Sequence, residues 1–99
     1  MIDVVCWKEQ KREDNTIACR LQIHYTDQRR VKTVLKELQE WEEAGSGFNP
    51  KRKESLLIFT RSFSSDSKWR SFLKGFPYKI TEKTLTGKEK VYNAKKVIG

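Results

Sequence analysis

Apolar and polar positions along the chain alternate, then recur every three or four residues, and these changes of period divide it into elements. Ile2, Val4 and Cys6 alternate with Asp3, Val5 and Trp7, which predicts a strand over Ile2 to Lys8. Ile17, Cys19, Leu21, Ile23 and Tyr25 alternate with Ala18, Arg20, Gln22 and His24, which predicts a second, half-buried strand over Thr16 to Tyr25. The polar stretch EQKREDN between them reads as a hairpin loop. Placing Ile2 opposite Ile23 sets Val4 against Leu21 and Cys6 against Cys19, so that every pair shares one apolar face.

From Asp27 to Gly45 the period lengthens. Val31, Val34, Leu35, Leu38 and Trp41 follow the three-four spacing of one helical face. Asp27 suits the amino-terminal cap and Gly45 the left-handed closing position, so one helix over 27–45 is expected to roof the sheet. Its charges oppose the macrodipole. Arg29, Arg30, Lys32 and Lys36 precede Glu37, Glu40, Glu42 and Glu43, the reverse of what a helix favours. A cationic amino end rich in free amides suits a phosphate.

GSGFNPKRKE follows as a turn-rich link, and it lacks the Gly-Lys-Ser or Gly-Lys-Thr of a phosphate-cradling loop. Leu56 to Phe59 run without a polar break, which makes Ser55 to Phe63 a central strand buried on both faces. A second helix over 64–76, capped by Ser65 or Asp66, carries Trp69, Phe72, Leu73 and Phe76 on one side and is expected to cover the second face of that strand. Tyr78 to Asn93 reads as a hairpin turning at Thr86-Gly87, and the last residues, from Lys95 onward, are expected to fray. The predicted order is β-β-α-β-α-β-β. It implies a single α+β domain spanning residues 1–99, with a mixed or antiparallel sheet and an amphipathic helix packed on one face.

Charge adds a direction to this picture. The net charge of +8 is uneven: residues 1–50 carry eight Lys or Arg against nine Asp or Glu, and residues 51–99 carry thirteen against four. Such asymmetry implies an anionic partner, most often nucleic acid, DNA or RNA. Eleven per cent aromatic residues argue against a disordered chain. No run approaches the ~20 apolar residues of a membrane span. MIDVVCWKEQ lacks the basic start and apolar core of a secretory signal, so a cytoplasmic protein without membrane association is expected.

The candidate chemistry is mostly excluded. Two cysteines and one histidine cannot make a four-ligand structural zinc site without carboxylates, and His24 falls on the face opposite Cys6 and Cys19. No serine has a nucleophile signature around it, and Glu9, Glu13 and Asp14 fall in a loop beside Lys11 and Arg12. No catalytic residue, metal or cofactor is assigned, and the chain reads as a binding protein and not an enzyme. Phosphate contacts are assigned to Lys51, Arg52, Lys53, Lys68, Arg70, Lys74, Lys79 and Lys83, with Arg29 and Arg30 as outlying members. Trp7 and, depending on the phase of its strand, Phe59 are candidate base-stacking residues on the sheet face opposite the first helix; the alternative is that both are core, buried by Trp69 and Phe72 of the second helix. The alternative is an adaptor or inhibitor module that docks on an acidic protein surface, and the mixed charge of the first helix also suits a homodimer.

Overall fold

The computed structural model describes residues 1–96, and residues 97–99 lie outside the described residues. Six strands and two helices follow one another as β1 (Ile2–Lys11), β2 (Ile17–Tyr25), α1 (Gln28–Leu35), β3 (Glu42–Asn49), β4 (Glu54–Phe63), α2 (Asp66–Gly75), β5 (Ile80–Lys83) and β6 (Glu89–Tyr92). They form one mixed sheet in the order β3-β4-β2-β1-β5-β6. All neighbours are antiparallel except β1 and β5, which run parallel through Val5–Thr81 and Cys6–Glu82. The fold is α+β, with one strand more than the pattern predicts.

The extra strand is β3. The helical period ends early: α1 stops at Leu35, and a single 3₁₀ turn, Lys36–Leu38, follows it. Trp41 N donates to Leu38 O at 2.9 Å, and the chain then turns into Glu42–Asn49. Gly45 is therefore a strand residue and not a helix cap, and Glu42 and Glu43 belong to an edge strand. Asp27 does cap α1, accepting from Arg29 N at 2.8 Å. Ser65 caps α2 in the same way, accepting from Lys68 N at 3.2 Å.

The β1–β2 register is displaced by two residues from the expected one. Ile2 pairs with Tyr25, Val4 with Ile23 and Cys6 with Leu21, while Cys19 faces Lys8. The apolar face is the expected one, because a shift of two keeps every side chain on its side. A bulge between Lys8 and Gln10 absorbs the extra residue, and Asn15, in the left-handed region at φ 69°, closes the turn.

Both helices lie on the same face. The β2-α1-β3 and β4-α2-β5 units each join parallel strands, and they leave antiparallel strands in opposite lateral directions. Right-handed crossovers then place α1 and α2 side by side. The packing agrees: Trp41 meets Trp69 and Phe72 of α2 with ring centroids 6.5 and 5.3 Å apart. Val4, Cys6, Leu21, Ile23 and Phe59 from the sheet join Val31, Val34, Leu38, Trp69 and Leu73 in one buried cluster. The expectation that α2 covers the second face of β4 is thus corrected. Leu56 and Ile58, on that second face, are only half-buried. Among the described residues, one side of the sheet is left without a helix.

Candidate nucleic-acid interface

The bare face takes alternate residues of each strand. Trp7 of β1 pairs with Arg20 of β2, which pairs in turn with Thr60 of β4. The half-buried indole thus has Arg20 opposite it on β2, while Lys83 follows the last residue of β5 that pairs with β1. Trp7 takes part in no aromatic pair among the described residues, unlike Trp41 and Trp69. The Arg20 side chain is about one-third exposed, and its Nε, 3.6 Å from Glu9 Oε1, is buried without a hydrogen-bond partner. Such a group is costly unless something accepts from it.

Phe59 does not belong here. It pairs with Leu21 on the helix side and is 6% exposed, so it packs the core and presents no ring for stacking. A run of four apolar residues gives no phase, and only the register with β2 decides which pair faces the helices.

Farther along the face, toward the ends of β2 and β3, lie Gln22, His24, Leu56, Ile58 and two glycines. His24 Nδ1 stands 3.2 Å from Glu54 Oε1, and Glu54 is 6% exposed. A cleft of about 320 Å³ opens beside this pair, lined also by Asn49, Arg52 and Leu56. Four residues separate the levels of Trp7 and Asp3, roughly 13 Å at strand spacing.

The end of the sheet beyond this cleft collects the cations. β2 and β3 finish there and β4 begins, so the amino terminus of α1 and the β3–β4 turn lie side by side. Exposed Arg29 and Arg30 come from the helix, and exposed Lys51, Arg52 and Lys53 from the turn. The turn is built by Asn49, whose Oδ1 accepts from Lys51 N at 3.0 Å, and by Lys53 in the left-handed region. α2 begins at the far end and runs back to mid-sheet, where its last turn, with Lys74, shares a cleft with Glu37, Glu40 and Arg61; exposed Lys79, just before β5, approaches the cationic end. Lys79 N donates to Lys96 O at 2.8 Å, which adds Lys95 and Lys96 to the group. Of the thirteen acidic residues, Asp3, Asp27 and Glu54 lie at this end, and the others lie at mid-sheet or beyond.

Lys68 and Lys83, assigned together with these residues from the sequence, lie toward the opposite end. Arg70 is held by its own fold. Its Nη1 donates to Glu82 Oε1 at 3.3 Å and to Tyr92 Oη at 2.7 Å, and its Nε lies 3.4 Å from Asp66. Burial works against its charge, but Glu82, Tyr92 and Asp66 outweigh that and hold it above its ordinary value. Glu82 also accepts from Trp69 Nε1 at 2.8 Å. This network ties α2 to β5 and offers no free cation. Lys95 and Lys96 are absent from the sequence-based assignment, because only the return of the chain past Lys79 brings them to the cationic end.

The described residues hold no group of three or more His, Cys, Asp or Glu placed to bind a metal. Both thiols are free and buried; burial pushes Cys19 up to about 12 against the pull of Lys8, and Cys6 higher still with Glu82 adding to the rise. Among the described residues no helix is long and apolar enough to cross a membrane. Compared with known families, curated proteins and solved structures, the chain matches no family model, and no curated protein or solved structure is significantly similar to it.

Proposed function

We propose that the chain is a non-enzymatic nucleic-acid-binding protein that takes a single strand along its bare sheet face. The observation that carries the reading is the gathering of Arg29, Arg30, Lys51, Arg52, Lys53 and Lys79 from three separate segments at one end of that face. Phosphates contact this cationic end, while Trp7 offers a stacking surface about two nucleotides away, with Arg20 beside it. Cations that follow the backbone combined with an aromatic platform form the usual means of holding an unpaired strand. Most of the affinity is electrostatic and carries little sequence information. Free, buried thiols accord with a reducing, cytoplasmic setting.

The adaptor reading keeps one observation in its favour. The bare face itself is close to neutral, since Asp3, Glu9 and Glu54 stand near His24 and Arg20. An acidic protein surface would need the cationic end alone.

Anisotropy titrations of labelled single- and double-stranded DNA and RNA across salt concentrations separate the two. Replacing Lys51, Arg52 and Lys53 by Ala should reduce the slope of log affinity against log salt by about 0.7 for each single-strand phosphate that is no longer neutralised. Trp7→Ala should weaken single-strand binding by roughly 1–3 kcal/mol and leave duplex binding unchanged. Wild-type affinity weaker than ~10⁻⁴ M at physiological salt, the loose end of non-specific binding, would refute nucleic-acid binding.

A further inference from the structure

β3 ends the sheet, and among the described residues nothing pairs with its outer edge. Edge strands are commonly guarded by Pro, by Lys or by a twist away from approach. Within Glu42–Asn49 there is neither Pro nor Lys. The bulge between Glu43 and Gly45 distorts its first part only, and from Gly45 to Asn49 the strand runs in unbroken register with β4.

Gly45 and Gly47 are not required by the isolated chain. Neither has a positive φ, and an added Cβ would meet Ile58 Cδ1 at 3.8 Å or Leu56 Cδ2 at 3.9 Å, ordinary contact distances. Phe48, on the helix side of this edge, is 63% exposed.

We infer that β3 pairs with β3 of a second copy of the chain, antiparallel about a two-fold axis normal to the sheet. Charge selects this partner and direction. The strand starts with Glu42 and Glu43, and the turn just past its end carries Lys51 and Arg52. With Gly47 on the axis, Gly45 lies opposite Asn49 and Ser46 opposite Phe48, so residues on the same face meet. The two glutamates of each copy then come within side-chain reach of Lys51 and Arg52 of the other, twice over.

The two-fold also sets the cationic end of one copy beside the end of the next that carries Glu40, Glu42 and Glu43. Pairing β3 with the other edge would not close. β6 is only four residues long, and a head-to-tail contact repeats without limit, whereas the two-fold contact pairs the β3 edges of both copies at once. The product is a continuous sheet of twice six strands with all helices on one side and both bare faces on the other. This pairing does not depend on nucleic acid being the ligand.

Sedimentation velocity on the full chain, at low salt and up to millimolar concentration, tests it with a charge exchange. The wild type should sediment as a dimer of 11.7 kDa chains and dissociate as salt rises. The double substitutions Glu42→Lys/Glu43→Lys and Lys51→Glu/Arg52→Glu should each weaken self-association more than about tenfold, because like charges then face each other. Mixing the two variants restores opposite charges at both contacts and should restore the dimer. Near-UV circular dichroism checks that each variant keeps its core. A wild type that stays monomeric throughout, a dimer indifferent to both substitutions, or a mixture that does not re-form would each overturn the pairing.

Discussion

Glu82 ties α2 to β5, and its replacement has a magnitude that follows from its contacts. The carboxylate is 2% exposed and accepts from Trp69 Nε1 at 2.8 Å and from Arg70 at 3.3 Å. Glu82→Ala leaves the Trp69 indole N–H, itself fully buried, without an acceptor. An orphaned buried donor costs about 1–3 kcal/mol. Arg70 loses little, because it is about one-third exposed and keeps Asp66 and Tyr92. The vacated volume adds roughly 1 kcal/mol more.

The expected loss is therefore about 2–4 kcal/mol, a fall in Tm of the order of 10–25 °C for a chain of this length. Glu82→Gln retains an oxygen for Trp69 and should cost about half as much or less. Urea melts followed by circular dichroism and by tryptophan fluorescence would measure both. A loss under ~1 kcal/mol for the alanine variant, or equal losses for the two, would show that the Trp69 hydrogen bond does not hold α2 to β5.

Three further outcomes are expected. Leu38→Ala should cost roughly 2–5 kcal/mol in denaturant melts, since Leu38 is 3% exposed in the core, while Lys36→Ala on the outer side should stay within about 0.5. Cys6 and Cys19 should resist iodoacetamide in the native protein and react on unfolding, because burial disfavours both thiolates; mass spectrometry reads the difference. Asp66 is held below the usual carboxylate range by its hydrogen bond from Lys8, with the charges of Lys8 and Arg70 adding to it. A depressed folded value gives stability that is present above the unfolded pKa of about 4 and is lost as pH falls through the folded one, so Asp66→Asn should flatten the acid limb of Tm against pH.

What is legible in the sequence, and what is hidden, follows from which positions are buried. β2 alternates cleanly because one face is covered and the other is bare, and α2 is readable from Ser65 and its apolar side. β3 is invisible because all its residues but Gly45 are exposed, so EEAGSGFN carries no period at all. Trp41 fits the helical spacing as well as it fits a position just before a strand, which is why the period overruns the end of the helix. The period of two assigns β1 and β2 their faces correctly and leaves the register free by two residues, since the bulge near Glu9 is a matter of backbone and not of hydrophobicity. The candidate interface is half legible. Trp7 and Arg20 follow from alternation within single strands, but the cationic end depends on strand direction, and no charge count along the chain contains that.

The parallel pairing of β1 with β5 has a consequence in time. Val5 meets Thr81, so β1, at the centre of the sheet, waits for a partner strand made about seventy-five residues later. Until it arrives, the β1–β2 hairpin presents Val4, Val5 and Cys6 along an open edge, and the cluster that holds Trp69 and Leu73 lacks Ile80. Closure of so long a loop makes the last step slow relative to the local hairpins. A ribosome-bound chain stopped before Ile80 should therefore be the form that chaperones and aggregation compete for, and the emergence of β5 should act as the switch that ends the competition.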